Sequence, residues 1–185
     1  MSKIIIRQAT IEDLPLVVST ALRAVVDEDP KQSGWWDLMM DVCSREDTLY
    51  SWKNALVAEC DGVKAGSIIS YPGVFYMEKR DYTFALFGND ATPSTEYETN
   101  ESEYYLDSLM VLPDFRGQGI GSALMNAAIE KAQNEGFDRI TLIVSDEKPR
   151  NRAMYERLGF KALGPILFLG EPYTKMVYHG TAGTI

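Results

Sequence analysis

The chain is short of cysteine and has no long apolar run. Its two cysteines, Cys43 and Cys60, are too few for a disulfide framework, and neither has neighbours at the spacing of metal ligands. We therefore expect no metal site. No stretch approaches the roughly 18 apolar residues that a membrane-spanning helix requires, and the apolar run at the N-terminus is too short for a signal peptide. These absences predict a cytoplasmic protein without a membrane partner.

Positive charge is also scarce. Lysine and arginine together number 18 against 27 aspartates and glutamates, which gives a net charge of −9. Because a chain without a basic field is poorly suited to bind nucleic-acid phosphates, we expect no nucleic-acid partner. The apolar fraction of 45% and the charged fraction of 24% are ordinary for a globular protein. The length of 185 residues predicts one domain, 1–185.

The apolar pattern predicts an α/β (α+β) fold, a sheet with helices on its faces. Asp61-Gly62 indicates a hairpin. The polar stretch 89–103 has no periodicity, so we interpret 74–102 as an insertion, either on the substrate side of the domain or partly disordered. The predicted strands are 3–8, 55–60, 63–70, 104–111, 139–144, 160–168 and 173–178, and the predicted helices are 10–25, 35–42, 75–87, 121–135 and 149–158.

A glycine-rich turn between the fourth predicted strand and the next helix carries the strongest functional signal. Gly117, Gly119 and Gly121 alternate there. Residues without Cβ atoms let backbone N–H groups converge, and the N-terminus of the following helix adds unpaired N–H groups and a positive dipole end. This geometry suits a phosphate or pyrophosphate, and Arg116 is placed to pair with an anionic group of the same ligand.

Other glycine motifs fit the turn less well. A P-loop requires Lys followed by Ser or Thr after its last glycine, whereas Ser122 and Ala123 follow here. A dinucleotide fingerprint requires a glycine at position 122 and an acidic residue at the end of the next strand, but Asp138 precedes that strand. A tight strand-to-helix turn without a ligand is the remaining alternative.

The chain resembles the Gcn5-related N-acetyltransferase (GNAT) family from about residue 104 to 160. The acyl-CoA signature of the family is matched by Arg116-Gly-Gln-Gly-Ile-Gly121, which follows Leu109-Met-Val-Leu-Pro113. A second segment, Tyr155-Glu-Arg-Leu-Gly-Phe160, is similar to a helix-to-strand ending of the family. The resemblance implies a mixed, mostly antiparallel sheet of about seven strands with helices on both faces. It also implies acetyl-CoA as cosubstrate.

The resemblance implies a set of site residues. Tyr155 matches the tyrosine that protonates the departing thiolate, and core packing is its alternative role. Asp107 is our candidate general base, and a solvent-facing aspartate is the alternative; Glu103 lies further from the expected opening between strands. Lys148 occupies a position where many members have Asn, so Asn151 is the substitute candidate. The residues expected to bind the cofactor are Leu109, Met110, Val111, Arg116, Gly117, Gln118, Gly119, Ile120, Gly121, Ser122 and Asn151.

The expected activity is an acyl-CoA-dependent N-acyltransferase that transfers acetyl to a primary amine by direct attack in a ternary complex. The alternative is a non-catalytic domain that binds or senses acyl-CoA. The acceptor is expected to be a small molecule or peptide amine, and the acidic stretch 96–103 favours a cationic one such as a polyamine-like compound. Trp35, Trp36 and Tyr71 either line its pocket or belong to the core. Homodimers are common among similar proteins, so a homodimer is among the expected assemblies.

Overall fold

The computed structural model describes residues 3–23, 29–88 and 96–180. The end of the first predicted helix at Val25 and part of the predicted loop 89–103 lie outside these residues. The described strands are β1 (Ile4–Gln8), β2 (Ala55–Cys60), β3 (Val63–Pro72), β4 (Tyr104–Val111), β5 (Arg139–Ser145), β6 (Lys161–Phe168) and β7 (Glu171–His179). The described helices are α1 (Leu14–Arg23), α2 (Trp36–Ser44), α3 (Gly73–Ala85), α4 (Ile120–Asn134) and α5 (Pro149–Arg157).

The strands form one seven-stranded sheet in the order β1-β2-β3-β4-β5-β7-β6. Neighbouring strands are antiparallel except for β4 and β5, which are parallel. The predicted mixed, mostly antiparallel sheet is therefore confirmed. Within the described residues, no helix combines the length and the apolar character needed to traverse a membrane.

Helices cover both faces of the sheet, as predicted. One core layer packs the sheet against α4 and α5, with Leu124, Met125 and Tyr155 among its buried side chains. The other packs the opposite face against α1, α2 and α3, with Val17 and Val42 fully buried. The central strands β2 to β4 are thus covered on both sides, which fixes their positions.

A bulge at Asp107 interrupts the regular alternation of β4. Ser70 of β3 lies opposite Leu106 and Ile69 lies opposite Ser108, so Asp107 has no partner in the register. The side chains of β4 therefore change faces at the bulge. Leu106 and Leu109 are three residues apart, yet both pack in the core layer between the sheet and helices α4 and α5. Because a bulge adds one residue and re-aims its side chain, Asp107 does not follow the alternation of its neighbours.

The parallel pair β4–β5 is closed at one end and open at the other. Only Tyr104 with Ile140 and Tyr105 with Thr141 are paired across it. The carboxylate of Glu103, 1% exposed, holds the closed end, because it accepts hydrogen bonds from Arg139 Nε at 2.9 Å and from Lys175 Nζ at 2.8 Å. These partners place Glu103 in a structural ion network, and they hold its pKa below the usual value despite burial.

Candidate active site

A cavity of about 350 Å³ lies along the open halves of β4 and β5. Asp107, Ser108 and Leu109 line it from β4, and Val144 and Ser145 line it from β5. From α5 the lining residues are Lys148, Asn151 and Tyr155. Four residues that the sequence predicted as functional therefore share one cleft: Asp107, Leu109, Asn151 and Tyr155.

The glycine turn follows β4 through the short helical turn Pro113–Phe115 and leads into α4. Gly117 and Gly119 have φ of 75° and 80°, which L-residues with side chains rarely adopt. A Cβ at either position would meet no protein atom within 4 Å. The space beside both glycines is open, which leaves room for a ligand against the backbone. Gly121 differs, because its Cβ would only make ordinary contacts with Met154 and Val111.

The remaining residues of the predicted cofactor site have mixed placements. Arg116 is exposed, and its Nε donates to the carbonyl of Val111 at 3.2 Å, which ties the turn to the end of β4. Gln118 is exposed and donates to the carbonyl of Asp114. Ser122 is half-buried. The side chains of Met110 and Ile120 are buried in the two core layers, so only their backbone groups are available to a ligand.

Asp107 lines the cavity and is half-buried. Its carboxylate accepts hydrogen bonds from the hydroxyl of Tyr71 and, at 2.7 Å, from Ser108 Oγ. Burial raises the pKa of Asp107, while these two hydrogen bonds oppose the shift. Tyr71 is 1% exposed and orients this carboxylate from β3.

Glu98 is a functional candidate that sequence reasoning missed. It lies in the polar stretch before β4, yet it is only 5% exposed and lines the same cavity as Asp107. Its carboxylate accepts hydrogen bonds from Tyr105 and, at 3.3 Å, from Tyr76. Burial and then the negative charge of Asp107 raise the pKa of Glu98 to about 8. An aperiodic acidic segment carries no pattern that singles out one buried member.

Tyr155 lies on α5 and is 9% exposed. It lines the main cavity and also a small one of about 20 Å³ that Leu106, Met125 and Leu142 border. Burial raises the pKa of Tyr155 to about 12, so the hydroxyl stays protonated near neutral pH. Its ring also packs edge-on against Phe160, so it contributes to the core as well as to the cavity.

The far wall of the cavity is aromatic. Phe87 is at the centre of the group, with ring centroids 6.3 Å from Trp35, 6.4 Å from Tyr50 and 6.3 Å from Phe84. All four line the cavity, and Trp35 is 46% exposed. Trp36 instead packs against the α1–α3 core layer, so only the first of the two tryptophans belongs to the cavity.

Residues 26–160 match the model of the acetyltransferase (GNAT) family. The chain belongs to this family. The match includes the opening of β4 and β5, the glycine turn and Tyr155. Within the parts of the chain that the structure describes, no group of three or more His, Cys, Asp or Glu residues could hold a metal ion.

Individual relatives agree with this assignment. The chain is 45% identical over 56 residues to an N-acetyltransferase of Methanocaldococcus jannaschii named as uncharacterized, covering 30% of this chain and 25% of that protein. It is 26% identical over 153 residues to the mycothiol acetyltransferase of Beutenbergia cavernae, covering 83% and 49% respectively. The chain thus spans between a quarter and half the length of these curated relatives.

A solved acetyltransferase structure shares the whole fold. It superposes with a TM-score of 0.75 at 28% identity and covers 95% of this chain and 98% of that one. The seven-stranded sheet with helices on both faces is therefore the acetyltransferase fold of the family, as the resemblance implied.

Proposed function

We propose that the protein is an acyl-CoA-dependent N-acyltransferase that transfers acetyl from acetyl-CoA to a primary amine by direct attack in a ternary complex. The observation that carries this proposal is the opening of β4 and β5 directly after two residue pairs. The resulting cleft has a carboxylate on one strand, Asp107, and a tyrosine hydroxyl beside the other, Tyr155. The names of the relatives, which are acetyltransferases, support the same reaction class.

The glycine turn suits the CoA pyrophosphate. Backbone N–H groups of residues 117–122 and the positive end of the α4 dipole provide donors for phosphate oxygens. The open edge of β4 at Leu109–Val111 offers backbone groups to the pantetheine arm, because β5 does not pair with that part of the strand. Asn151, exposed at the first turn of α5, borders the same path.

Asp107 is suited to take the proton of the acceptor. A primary ammonium has no free electron pair, so a proton must leave before nitrogen attacks the thioester carbon. Since burial raises the pKa of Asp107, its carboxylate is a stronger base than an exposed aspartate. The hydroxyls of Tyr71 and Ser108 hold the carboxylate at the cavity wall.

Tyr155 is suited to stabilise the leaving group. As the C–S bond breaks, the electron pair remains on sulfur, and an ordinary thiol has a pKa of about 8.5. The Tyr155 pKa of about 12 makes complete proton transfer to that thiolate uphill. We therefore assign its hydroxyl a hydrogen bond to the developing thiolate, which lowers the barrier without requiring full transfer. The nitrogen loses its second proton as the amide forms, and one proton is taken up by the thiolate, which leaves as free CoA thiol.

Release of free CoA thiol, measured with acetyl-CoA and a panel of primary amines, tests this function. We expect amine-dependent release in the wild type and a loss of about a hundredfold in kcat/KM for Asp107→Asn. The exposed Asp37→Asn, at the start of α2, is the matched control and should keep wild-type rates. Stabilisation by acetyl-CoA without thiol release from any amine would instead support a non-catalytic sensor.

A further inference from the structure

Two carboxylates, those of Glu98 and Asp107, line the same cavity. The Glu98 carboxylate accepts from the hydroxyl of Tyr105, and the Asp107 carboxylate accepts from the hydroxyl of Tyr71. The rings of these two tyrosines lie against each other with centroids 5.9 Å apart. Each acidic group is therefore anchored to one member of a packed pair of tyrosines.

The two carboxylates disfavour each other's ionisation. Acidic groups that are close together and poorly solvated cannot both ionise easily. Burial raises the pKa of Glu98 and of Asp107, and the negative charge of Asp107 raises the pKa of Glu98 further. A single ammonium group therefore suits this pair better than several positive charges do.

The described residues that line the cavity also include a lysine. Lys148, directly before α5, is exposed. A second or third ammonium of a polyamine that extended along the cavity would approach this cation. A single positive charge on the acceptor avoids that repulsion.

The wall around Phe87 offers apolar contact instead of charge. Trp35, Phe84 and Phe87 form a partly exposed aromatic cluster that borders the open cavity. Met39 and Leu22 extend the apolar lining from α2 and α1. Aromatic side chains in such a wall prefer an offset or edge-on ring partner.

We propose that the acceptor is a primary monoamine on an apolar, ring-bearing body, whose ammonium is bound by Glu98 and Asp107 and whose body packs on the aromatic wall around Phe87. This assignment rests on the function proposed above. It deepens that function by giving Glu98 a role in acceptor binding and by favouring a monoamine over the polyamine-like acceptor that the acidic sequence suggested.

Acceptor binding and turnover separate the two proposals. Calorimetry in the presence of CoA measures the affinities for phenethylamine, spermidine and a lysine-containing peptide, and thiol release measures turnover of the same amines with acetyl-CoA. We expect phenethylamine to bind and react at least about tenfold better than the other two. Binding with this preference but without thiol release would retain the acceptor assignment and contradict only the proposed function.

Variants test the two parts of the acceptor site. Glu98→Gln should weaken phenethylamine binding by at least about tenfold, because a bound ammonium favours the ionised form of Glu98 and Gln cannot supply that negative charge. It should leave the binding of phenethyl alcohol, the neutral isostere, unchanged; a merely structural role would weaken both ligands equally. Phe87→Ala should weaken both, whereas Tyr82→Ala, on the exposed face of α3, should weaken neither.

Three outcomes would overturn the acceptor assignment. Thiol release that is fastest with spermidine or with the lysine peptide contradicts a monoamine acceptor while keeping the acyltransferase. Equal loss of phenethylamine and phenethyl alcohol binding in Glu98→Gln contradicts the ammonium contact. Failure of all three amines to bind contradicts the acceptor assignment outright.

Discussion

At the scale of single residues, burial raises the pKa of several titratable groups in the cleft, and the consequence differs between the tyrosine and the carboxyl groups. It keeps the Tyr155 hydroxyl protonated and so available as a donor, with a pKa of about 12. It makes the carboxylates of Asp107 and Glu98 better proton acceptors than exposed acids. Glu103 is also buried, but hydrogen bonds from Lys175 and Arg139 lower its pKa, so the partners of an acid in this region decide its protonation.

Tyr155→Phe removes only the hydroxyl. We expect kcat to fall by about a hundredfold, since the developing thiolate loses its donor, while the Kd for CoA stays within about twofold. A thiol-release assay measures kcat, and calorimetry measures the Kd for CoA. Tyr104→Phe is the matched control, because Tyr104 is buried in the same core layer but lines neither cavity. Unchanged kcat in Tyr155→Phe would assign this ring to packing alone.

The raised pKa of Glu98 should make the free energy of unfolding depend on pH. The folded state raises its pKa from 4.5 to about 8, so the folded protein binds this proton more tightly than the unfolded chain. The stabilising contribution is complete below pH 4.5 and is lost as the pH rises through about 8. Relative to Glu98→Gln, which cannot titrate, the wild type should lose unfolding free energy across this window.

Urea unfolding of both proteins at a series of pH values measures that difference. A difference that is constant with pH would show that Glu98 titrates normally in the folded protein. A difference that grows in favour of the wild type as the pH rises would contradict the burial argument in sign.

At the scale of elements, the proposed chemistry depends on two irregular features of β4. The bulge at Asp107 turns one carboxylate toward the cavity, and the loss of pairing with β5 beyond Tyr105 opens the cleft. The glycine turn then converts the end of the strand into a helix N-terminus. Each of these features interrupts a regular element at a point that a ligand can use.

Gly119→Ala tests the turn. The φ of 80° makes any side chain cost about 1 kcal/mol of conformational energy, and the added methyl enters the open space assigned to the pyrophosphate. We expect the Kd for CoA to rise by about tenfold or more in calorimetry. Gly62→Ala, in the β2–β3 hairpin, is the matched control, since its φ is 83° and its Cβ also meets nothing within 4 Å. The two variants should lose similar stability, and only Gly119→Ala should lose CoA affinity.

Equal CoA affinity in Gly119→Ala, Gly62→Ala and wild type would leave the turn as a strand-to-helix connection without a ligand. That result would support the alternative, left open by the sequence, of a tight turn that binds no ligand.

Glu103→Gln tests the closed end of the strand pair. The carboxylate is 1% exposed and pairs with Lys175 and Arg139, so its removal leaves partly buried cations without their partner. We expect the free energy of unfolding to fall by about 2 kcal/mol, less than for a fully buried pair because Arg139 is 36% exposed. Glu156→Gln, which breaks an exposed pair with Arg152, should change it by less than about 0.5 kcal/mol. Equal effects of the two substitutions in urea unfolding would contradict the structural role of Glu103.

At the scale of the whole molecule, periodicity was sufficient to predict the order of the elements. The observed bounds of β4 agree with the predicted strand 104–111, and those of α4 differ by one residue at each end. The places of the glycine turn before α4 and of Tyr155 on α5 could be predicted because both lie in short local motifs. The burial of Glu98 could not be predicted, because it depends on contacts with Tyr76 and Tyr105 that no helical or strand periodicity indicates.

The bulge in β4 and the opening between β4 and β5 could not be predicted from apolar periodicity either. A bulge changes the phase of a strand by one residue, and the apolar residues Leu106 and Leu109 fit either phase when both faces are covered. The closed end depends on Lys175, far along the chain from Glu103. Such non-local contacts are formed by the fold as a whole. The interpretation of 74–102 as an insertion remains a prediction.

A crystal structure of the complex with CoA is the most direct test of the proposed site. We predict pyrophosphate oxygens within hydrogen-bond distance of backbone N–H groups of residues 117–122. The thiol should lie in the cleft between Leu109 and Val144, with the Tyr155 hydroxyl pointing toward it. CoA bound at another surface, with the glycine turn and the cleft between β4 and β5 empty, would contradict the account.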